Sequence, residues 1–416
     1  IIVEGEIDAL TFIENGYLNV ISVPNGANKN LEYLDNYIGL FETIQTIYLA
    51  TDQDTKGVEL RDEFIRRFGA EKCSIVSFKE CKDANEYFIK YGGIEFKNLL
   101  TDSKPVPIKG IIYANSMQSE LYEFYRNGIQ KGLTINNYEI DQFITWELGR
   151  LAIVTGVPGC GKSEFVDYLV SKLNLLYGWK AAYFTPENYP LKYHYAKLFE
   201  KYIGKKFVYS GNDIEYDLAY EYIQDNYYWI LNEDDLGIDK IIENAKFLVK
   251  SKGIKILVID PYNKIDHQFN NKISETQYIS KFLDKLIMFG KLNNILIFLI
   301  AHPRKMLRGD IPSLYDISGS ANFYNKTDYG FTVHRVFDEN NLMTNEIEIH
   351  FQKIKFKNLG TQGVSQLRYN YNNGRFEKRE SIDVWDNSNW LVKDYQQAIE
   401  IKSNNYFDNE TDNEPF

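Results

Sequence analysis

At 416 residues, 44% hydrophobic and 25% charged, the chain has globular composition and room for two or three domains. No apolar run approaches the roughly 18 residues that a membrane span needs. Cys73, Cys81 and Cys160 form no CxxC pair, which argues against a disulfide framework or zinc ribbon and fits a reducing, cytoplasmic setting. The formal net charge of −11 argues against a simple basic nucleic-acid binder, but the charge is uneven. Residues 381–416 carry eight acids against two lysines, and their end, SNNYFDNETDNEPF, is acidic and polar enough to predict disorder. Residues 345–380 carry seven bases against four acids. Local charge, not the total, decides whether a phosphate backbone can dock.

The chain opens on an apolar strand, Ile1–Val3, without a methionine. A helix pattern near Asp8–Glu14 follows. Strand YLNVISV, a helix around Leu31–Phe41, strand TIYLAT, a helix over Gly57–Phe68 and strand CSIVSF come next. That rhythm predicts a compact, mostly parallel α/β domain over residues 1–100. Residues 101–145 break it. TDSKPVPIKG reads as a linker, and ANSMQSELYEFYRNG as a short helix ended by Gly128. Met117, Leu121 and Phe124 share one face of that helix, which either packs on its own domain or docks on a neighbouring subunit.

The alternation resumes at residue 146 and lasts to about 380. LAIVT (151–155), AAYF (181–184), KILVI (255–259) and ILIFLIA (295–301) are buried-strand candidates. A more β-like stretch follows: GFTVHRV, NEIEIHFQKIKF and SQLRYNYN.

Gly156-Val157-Pro158-Gly159-Cys160-Gly161-Lys162-Ser163 matches GxxxxGK[ST] between strand LAIVT and helix SEFVDYLVSKLNLLYG. Glycines at that junction turn backbone N–H groups onto a β-phosphate at a helix N-terminus. Lys162 reaches the β- and γ-phosphates of ATP, and Ser163 ligates Mg²⁺. Asp260, ending KILVID, supplies the carboxylate that steadies the metal ion. Glu187, after AAYF in FTPEN, is placed to orient the attacking water. His302 ends ILIFLIA. Alone it reads as a core histidine, but on the same sheet it is placed to contact the γ-phosphate.

GVPGCGKSEF, FTPEN, IDPYNKIDHQ, FLIAHPRK and YDISGSANFYNKTD occur in that order. Residues 146–375 thereby resemble the RecA-like motor of DnaB-type replicative helicases, most closely the Twinkle-type branch. VEGEIDAL, SVPNGAN, ATDQDTKG and CKDANEYF resemble the Toprim domain that precedes this motor in Twinkle-like and phage primase–helicases. The resemblance implies an N-terminal Toprim domain followed by a RecA-like P-loop ATPase domain. It further implies that Glu4 and the Asp52/Asp54 pair face one another. Carboxylates at strand ends, two residues apart, make a hard-oxygen Mg²⁺ site. Asp83 is a further candidate. Without the family, ATDQDTKG also reads as a turn of solvated acids.

The resemblance assigns Arg304, Lys305 and Arg308, with Gly319 and Asn325, to loops that track single-stranded DNA. Gly156, Gly159, Cys160, Gly161, Lys162, Ser163 and Lys353 are the ATP-binding set. Lys353-Ile354-Lys355 aligns with a K-x-R pattern whose arginine reaches the neighbour's γ-phosphate. Lys355 keeps the charge but loses the bidentate fork. Asn263 and His267 also match this branch, with no role that the residues themselves supply. The family implies a homo-oligomeric, hexameric ring, 5′→3′ polarity and work at replication forks.

Primase-active members carry a zinc-binding domain and the first part of a polymerase domain ahead of this strand, so the chain reads as the C-terminal part of a longer protein. The rival reading is a recombinase-type filament that binds single strands and hydrolyses ATP without unwinding. Nucleases that join Toprim to an ABC-type ATPase have the opposite domain order and an LSGG-like signature. Phage, bacterium and organelle all stay open as the source.

Overall fold

The computed structural model describes residues 1–416 except 25, 27–30, 32, 35–36, 107–116, 210, 212, 232–235, 266–273, 307–308, 320, 341, 380–384 and 393–416. His267, Arg308 and most of the acidic C-terminal segment therefore lie outside the described residues. The chain divides into two compact units, residues 1–128 with 247–253, and 129–246 with 254–416.

The first unit holds a five-stranded sheet built from β1 (Ile2–Val3), β2 (Ile21–Ser22), β3 (Ile47–Ala50), β4 (Cys73–Ile75) and β5 (Lys104–Pro105). Its order is β2-β1-β3-β4-β5, parallel except for β5. Neighbouring strand residues serve opposite faces. Ile2 and Leu49 pack with Leu60 and Phe64, whereas Val3 and Ala50 pack with Phe12, Phe78 and Phe96. Both faces are thus covered, as a parallel sheet requires. Asp54 caps the helix Thr55–Phe68, accepting from Gly57 N at 2.9 Å, and Asp83 caps the helix Ala84–Phe96, accepting from Glu86 N at 2.7 Å. A capping carboxylate is worth about 1 kcal/mol. The helix expected over 31–41 is described as Ile38–Thr43.

The helix Gln118–Asn127 buries no residue; Leu121 and Phe124 are about half exposed. Among the described residues nothing buries this apolar face.

The second unit contains a nine-stranded sheet. Its members are β6 (Leu151–Thr155), β7 (Ala181–Phe184), β8 (Tyr227–Trp229), β9 (Ile256–Ile259), β10 (Leu296–Ile300), β11 (Tyr329–Phe337), β12 (Met343–Ile354), β13 (Gly363–Tyr369) and β14 (Phe376–Lys378). The order is β14-β13-β12-β11-β6-β10-β9-β7-β8. Strands β6 to β11 run parallel, and β12 to β14 extend the sheet antiparallel. All five residues of β6 and of β10 are buried, so their unbroken apolar runs mark strands covered on both sides. Among the described residues no helix is long and apolar enough to cross a membrane.

The expected disordered tail begins too early. Within residues 385–392, Trp390 and Leu391 are buried in the core of the second unit. Arg375 holds them there. It is 1% exposed, stacks 3.8 Å from the Trp390 ring and donates to the carbonyls of Lys201, Asp386 and Ser388 at 2.7–2.9 Å. Removing it strands several buried carbonyls. Arg375→Ala is expected to cost about 3–5 kcal/mol, read as a lower urea midpoint, and to expose this segment to protease.

Candidate active sites

Strand register brings the nucleotide-site candidates to one end of the large sheet. Strands β6, β10, β9 and β7 are parallel neighbours, so Gly156, His302, Asp260 and Glu187 all follow C-terminal strand ends. Thr155 Oγ1 donates to Ala301 O at 2.9 Å, and Asp260 N donates to Phe184 O at 2.9 Å, tying those ends together.

The loop Gly156–Gly161 then enters the helix Lys162–Tyr177. Gly159 and Gly161 have φ of 78° and 97°, a region that favours glycine. A Cβ on Gly156 would meet Val333 O at 2.4 Å and Cys160 Sγ at 2.6 Å, so only glycine fits there. Cys160 is fully buried and packs behind the loop rather than facing its mouth. Lys162 Nζ donates to Gly156 O at 2.9 Å and Val157 O at 3.0 Å, folding its ammonium over the loop. Burial pushes its pKa down.

Ser163 Oγ donates to Asp260 Oδ2 at 2.6 Å. Burial raises the Asp260 carboxyl to about 6, and the Ser163 hydrogen bond opposes that rise. A hydroxyl and a buried carboxylate converging on one point form a hard-oxygen pair suited to Mg²⁺. Glu187 is exposed in the loop after β7, with Lys264 Nζ 3.6 Å from its Oε1. Burial and the charge of Lys162 lower the His302 pKa, leaving a neutral ring, and its buried Nδ1 meets no hydrogen-bond partner among the described residues. Asn263 now has a role: its Oδ1 accepts from His302 N at 3.3 Å and pins the start of the following loop.

In that loop Arg304 donates to Asp316 Oδ1 at 2.7 Å while its head stays 71% exposed, and Lys305 is exposed. Gly319 has φ 102°, and a Cβ there would strike Ile279. Asn325 is exposed on the short helix Asn322–Lys326, and its carbonyl accepts from Lys353 Nζ at 2.9 Å.

Lys353 and Lys355 lie elsewhere. Lys353 pairs with Gly330, which pairs with Ile153, and Lys355 N donates to Asp328 O. Asp328 N in turn donates to Leu151 O. Lys355 therefore stands level with the start of β6, five residues from Gly156, or about 16 Å along the strand. It cannot serve its own chain's loop. Its Nζ instead lies 3.3 Å from Asp328 Oδ1.

Arg335, Tyr369 and Tyr371 escaped the sequence reading. The Arg335 guanidinium lies 5.4 Å and 5.8 Å from the two tyrosine ring centres and 3.7 Å from where a Gly161 Cβ would stand, and its buried Nε meets no hydrogen-bond partner among the described residues. The available signal was an arginine inside an apolar strand.

In the first unit, Glu4 follows β1 and Asp52 follows β3, and Val3 pairs with Ala50, so both acids leave the same sheet end. Among the described residues no three His, Cys, Asp or Glu side chains are gathered to hold a metal ion. Lys82 Nζ lies instead 2.9 Å from Asp52 Oδ2 and 3.5 Å from Asp54 Oδ2. Two carboxylate oxygens thus already converge on one cation, which fits a divalent ion in its donor chemistry. Burial raises the Asp52 pKa, whereas the Gly57 N–H lowers that of Asp54. Asp8 also adjoins this group and accepts from Asn85 N at 3.0 Å.

Comparison with known proteins follows the same division. A family model described as Toprim-like matches residues 1–88. The "Twinkle homolog protein, chloroplastic/mitochondrial" of Arabidopsis thaliana is 35% identical over 410 residues, covering 90% of this chain and 58% of that protein. The "Primase homolog protein" of the same plant is 33% identical over 129 residues, covering 26% of this chain and 38% of that protein. The chain thus spans little more than half the length of the first of these relatives and less of the second. Among solved structures, one described as an ATPase domain superposes with a TM-score of 0.55 at 16% identity, covering 65% of this chain and all of that one. A DnaB-like replicative helicase, described with its interactions with primase, gives 0.53 at 15% identity, covering 72% and 73%. At such identities these two establish the fold alone, that of a RecA-like ATPase, and the family model accounts for the Toprim-like domain.

Proposed function

We propose that the chain, which is similar to a Twinkle-type protein along most of its length, is an ATP-dependent replicative DNA helicase motor that translocates along single-stranded DNA as a hexameric ring. The observation that carries this reading is the Ser163–Asp260 hydrogen bond beside Lys162, with Glu187 and His302 on adjoining strand ends of one sheet.

Backbone N–H groups from Gly156 to Ser163 hold the β- and γ-phosphates at the helix N-terminus. Ser163 and Asp260 would hold Mg²⁺, which would neutralise phosphate charge. Glu187 orients the attacking water and accepts its proton. Arg335 with Tyr369 and Tyr371 offers flat cationic and aromatic surfaces for the base. His302 donates or accepts at the γ-phosphate and relays its presence to the loop carrying Arg304, Lys305 and Arg308. That loop, with Gly319 and Asn325, follows the DNA backbone without reading sequence.

Lys353 and Lys355, remote from their own loop, act on the nucleotide of the adjoining subunit. The helix Gln118–Asn127 docks its apolar face on that neighbour. Movement is 5′→3′. Asp52 and Asp54, with Glu4 at the same sheet end, would hold Mg²⁺ in the Toprim part, contributing to primer synthesis in a longer parent protein. The compartment is a bacterial or phage-infected cytoplasm or, as for the chloroplastic/mitochondrial plant relative, an organelle matrix.

The test is ATP hydrolysis with and without single-stranded DNA. A rise of about tenfold or more on adding the strand, falling with salt, is expected. Hydrolysis indifferent to DNA would overturn the motor reading.

A further inference from the structure

Gln53, the middle residue of the Asp52-Gln53-Asp54 run, binds the segment that follows β4. Its Nε2 donates to Lys79 O at 2.8 Å and Cys81 O at 2.6 Å, and its backbone N–H donates to Lys82 O at 2.9 Å. Lys82 N donates to Glu86 Oε2 at 2.6 Å, and Asp83 caps the next helix. The segment 79–83 is therefore clamped to the acidic run by that run's own central residue. The clamp fixes the root of Lys82. Its side chain stays 56% exposed, with the ammonium resting on Asp52 and Asp54. A fixed root and an exposed head allow the ammonium to leave without any backbone bond breaking.

From this geometry we infer that Lys82 is a tethered counter-cation that competes with a divalent metal ion for Asp52 and Asp54. The inference rests on the reading of these acids as metal ligands. An ammonium is a compact point charge that offers only donors. A hard divalent ion takes carboxylate oxygens directly, and the two cations cannot share the same pair at such distances. Lys82 lets the acids stand together without metal. The same contact weakens metal loading, and the displaced ammonium remains held beside the site.

The experiment titrates Mn²⁺ into the full chain without nucleotide and follows free Mn²⁺ by electron paramagnetic resonance. Wild type, Lys82→Ala, and each with added Asp52→Asn are compared, with thermal melts to confirm folding. Lys82→Gln replaces the alanine variant if the latter melts early. The expected result is about tenfold tighter Mn²⁺ binding on loss of Lys82, abolished by Asp52→Asn. Equal binding by wild type and the Lys82 variants, still abolished by Asp52→Asn, would overturn the competition and leave the metal site standing. If no variant shows binding that depends on Asp52, the metal reading fails and the inference with it.

Discussion

Lys162→Ala is expected to abolish ATP turnover, lowering it by at least about a hundredfold, the loss typical of a preorganised charge that meets the transferring phosphate. The side chain is buried, and its ammonium already points into the loop, 2.9 Å from Gly156 O and 3.0 Å from Val157 O. Losing that donor costs about 1–3 kcal/mol, at two carbonyls of a loop rather than at a core contact. Folding should therefore survive, and a thermal melt within a few degrees of wild type would separate lost chemistry from lost structure. Nucleotide affinity should fall as well, because the lysine serves ground state and transition state alike. Turnover within twofold of wild type would remove Gly156–Ser163 from the active site.

Glu187→Gln should separate binding from chemistry. Gln keeps the size and hydrogen-bonding reach of the side chain but cannot take a proton. Removing a general base costs about 10²–10⁴ in rate. The side chain is about half exposed, and its contact with Lys264 is a surface ion pair worth little, so stability should stay within about 0.5 kcal/mol. The expected pattern is a collapsed kcat with nearly unchanged ATP affinity, in contrast to Lys162→Ala, which loses both. Loss of affinity with normal kcat would move Glu187 from the water to the substrate's anchoring groups.

Much of this site was legible in the chain because parallel strands write themselves as unbroken apolar runs. LAIVT and AAYF coincide with β6 and β7 to the residue, KILVI overruns β9 by one residue, and ILIFLIA overruns β10 by one residue at each end. Functional groups that directly follow such runs, like Asp260 and His302, inherit the same legibility. What depends on long-range packing did not show. The acidic segment after 380 was read from its charge. Trp390 and Leu391, two apolar residues among many polar ones, outweigh that charge once Arg375 gives them a socket. The role of Lys82 does not show in the sequence, because it depends on Gln53, 29 positions away, holding the 79–82 segment by its amide. Arg335 was legible only as an oddity within a strand until β13 brought Tyr369 beside it. The separation of Lys355 from its own phosphate loop follows from register, which spacing along the chain does not reveal.

The account's central claim, a motor that runs on one strand of DNA, is tested most directly by unwinding of a forked duplex with ATP and Mg²⁺. Substrates bearing only a 5′ or only a 3′ single-stranded tail are compared, with Lys162→Ala as the inactive control. The account predicts strand separation that requires the 5′ tail and vanishes in the variant. Hydrolysis stimulated by single strands, with neither tail supporting separation, would contradict it and point to a strand-binding filament instead.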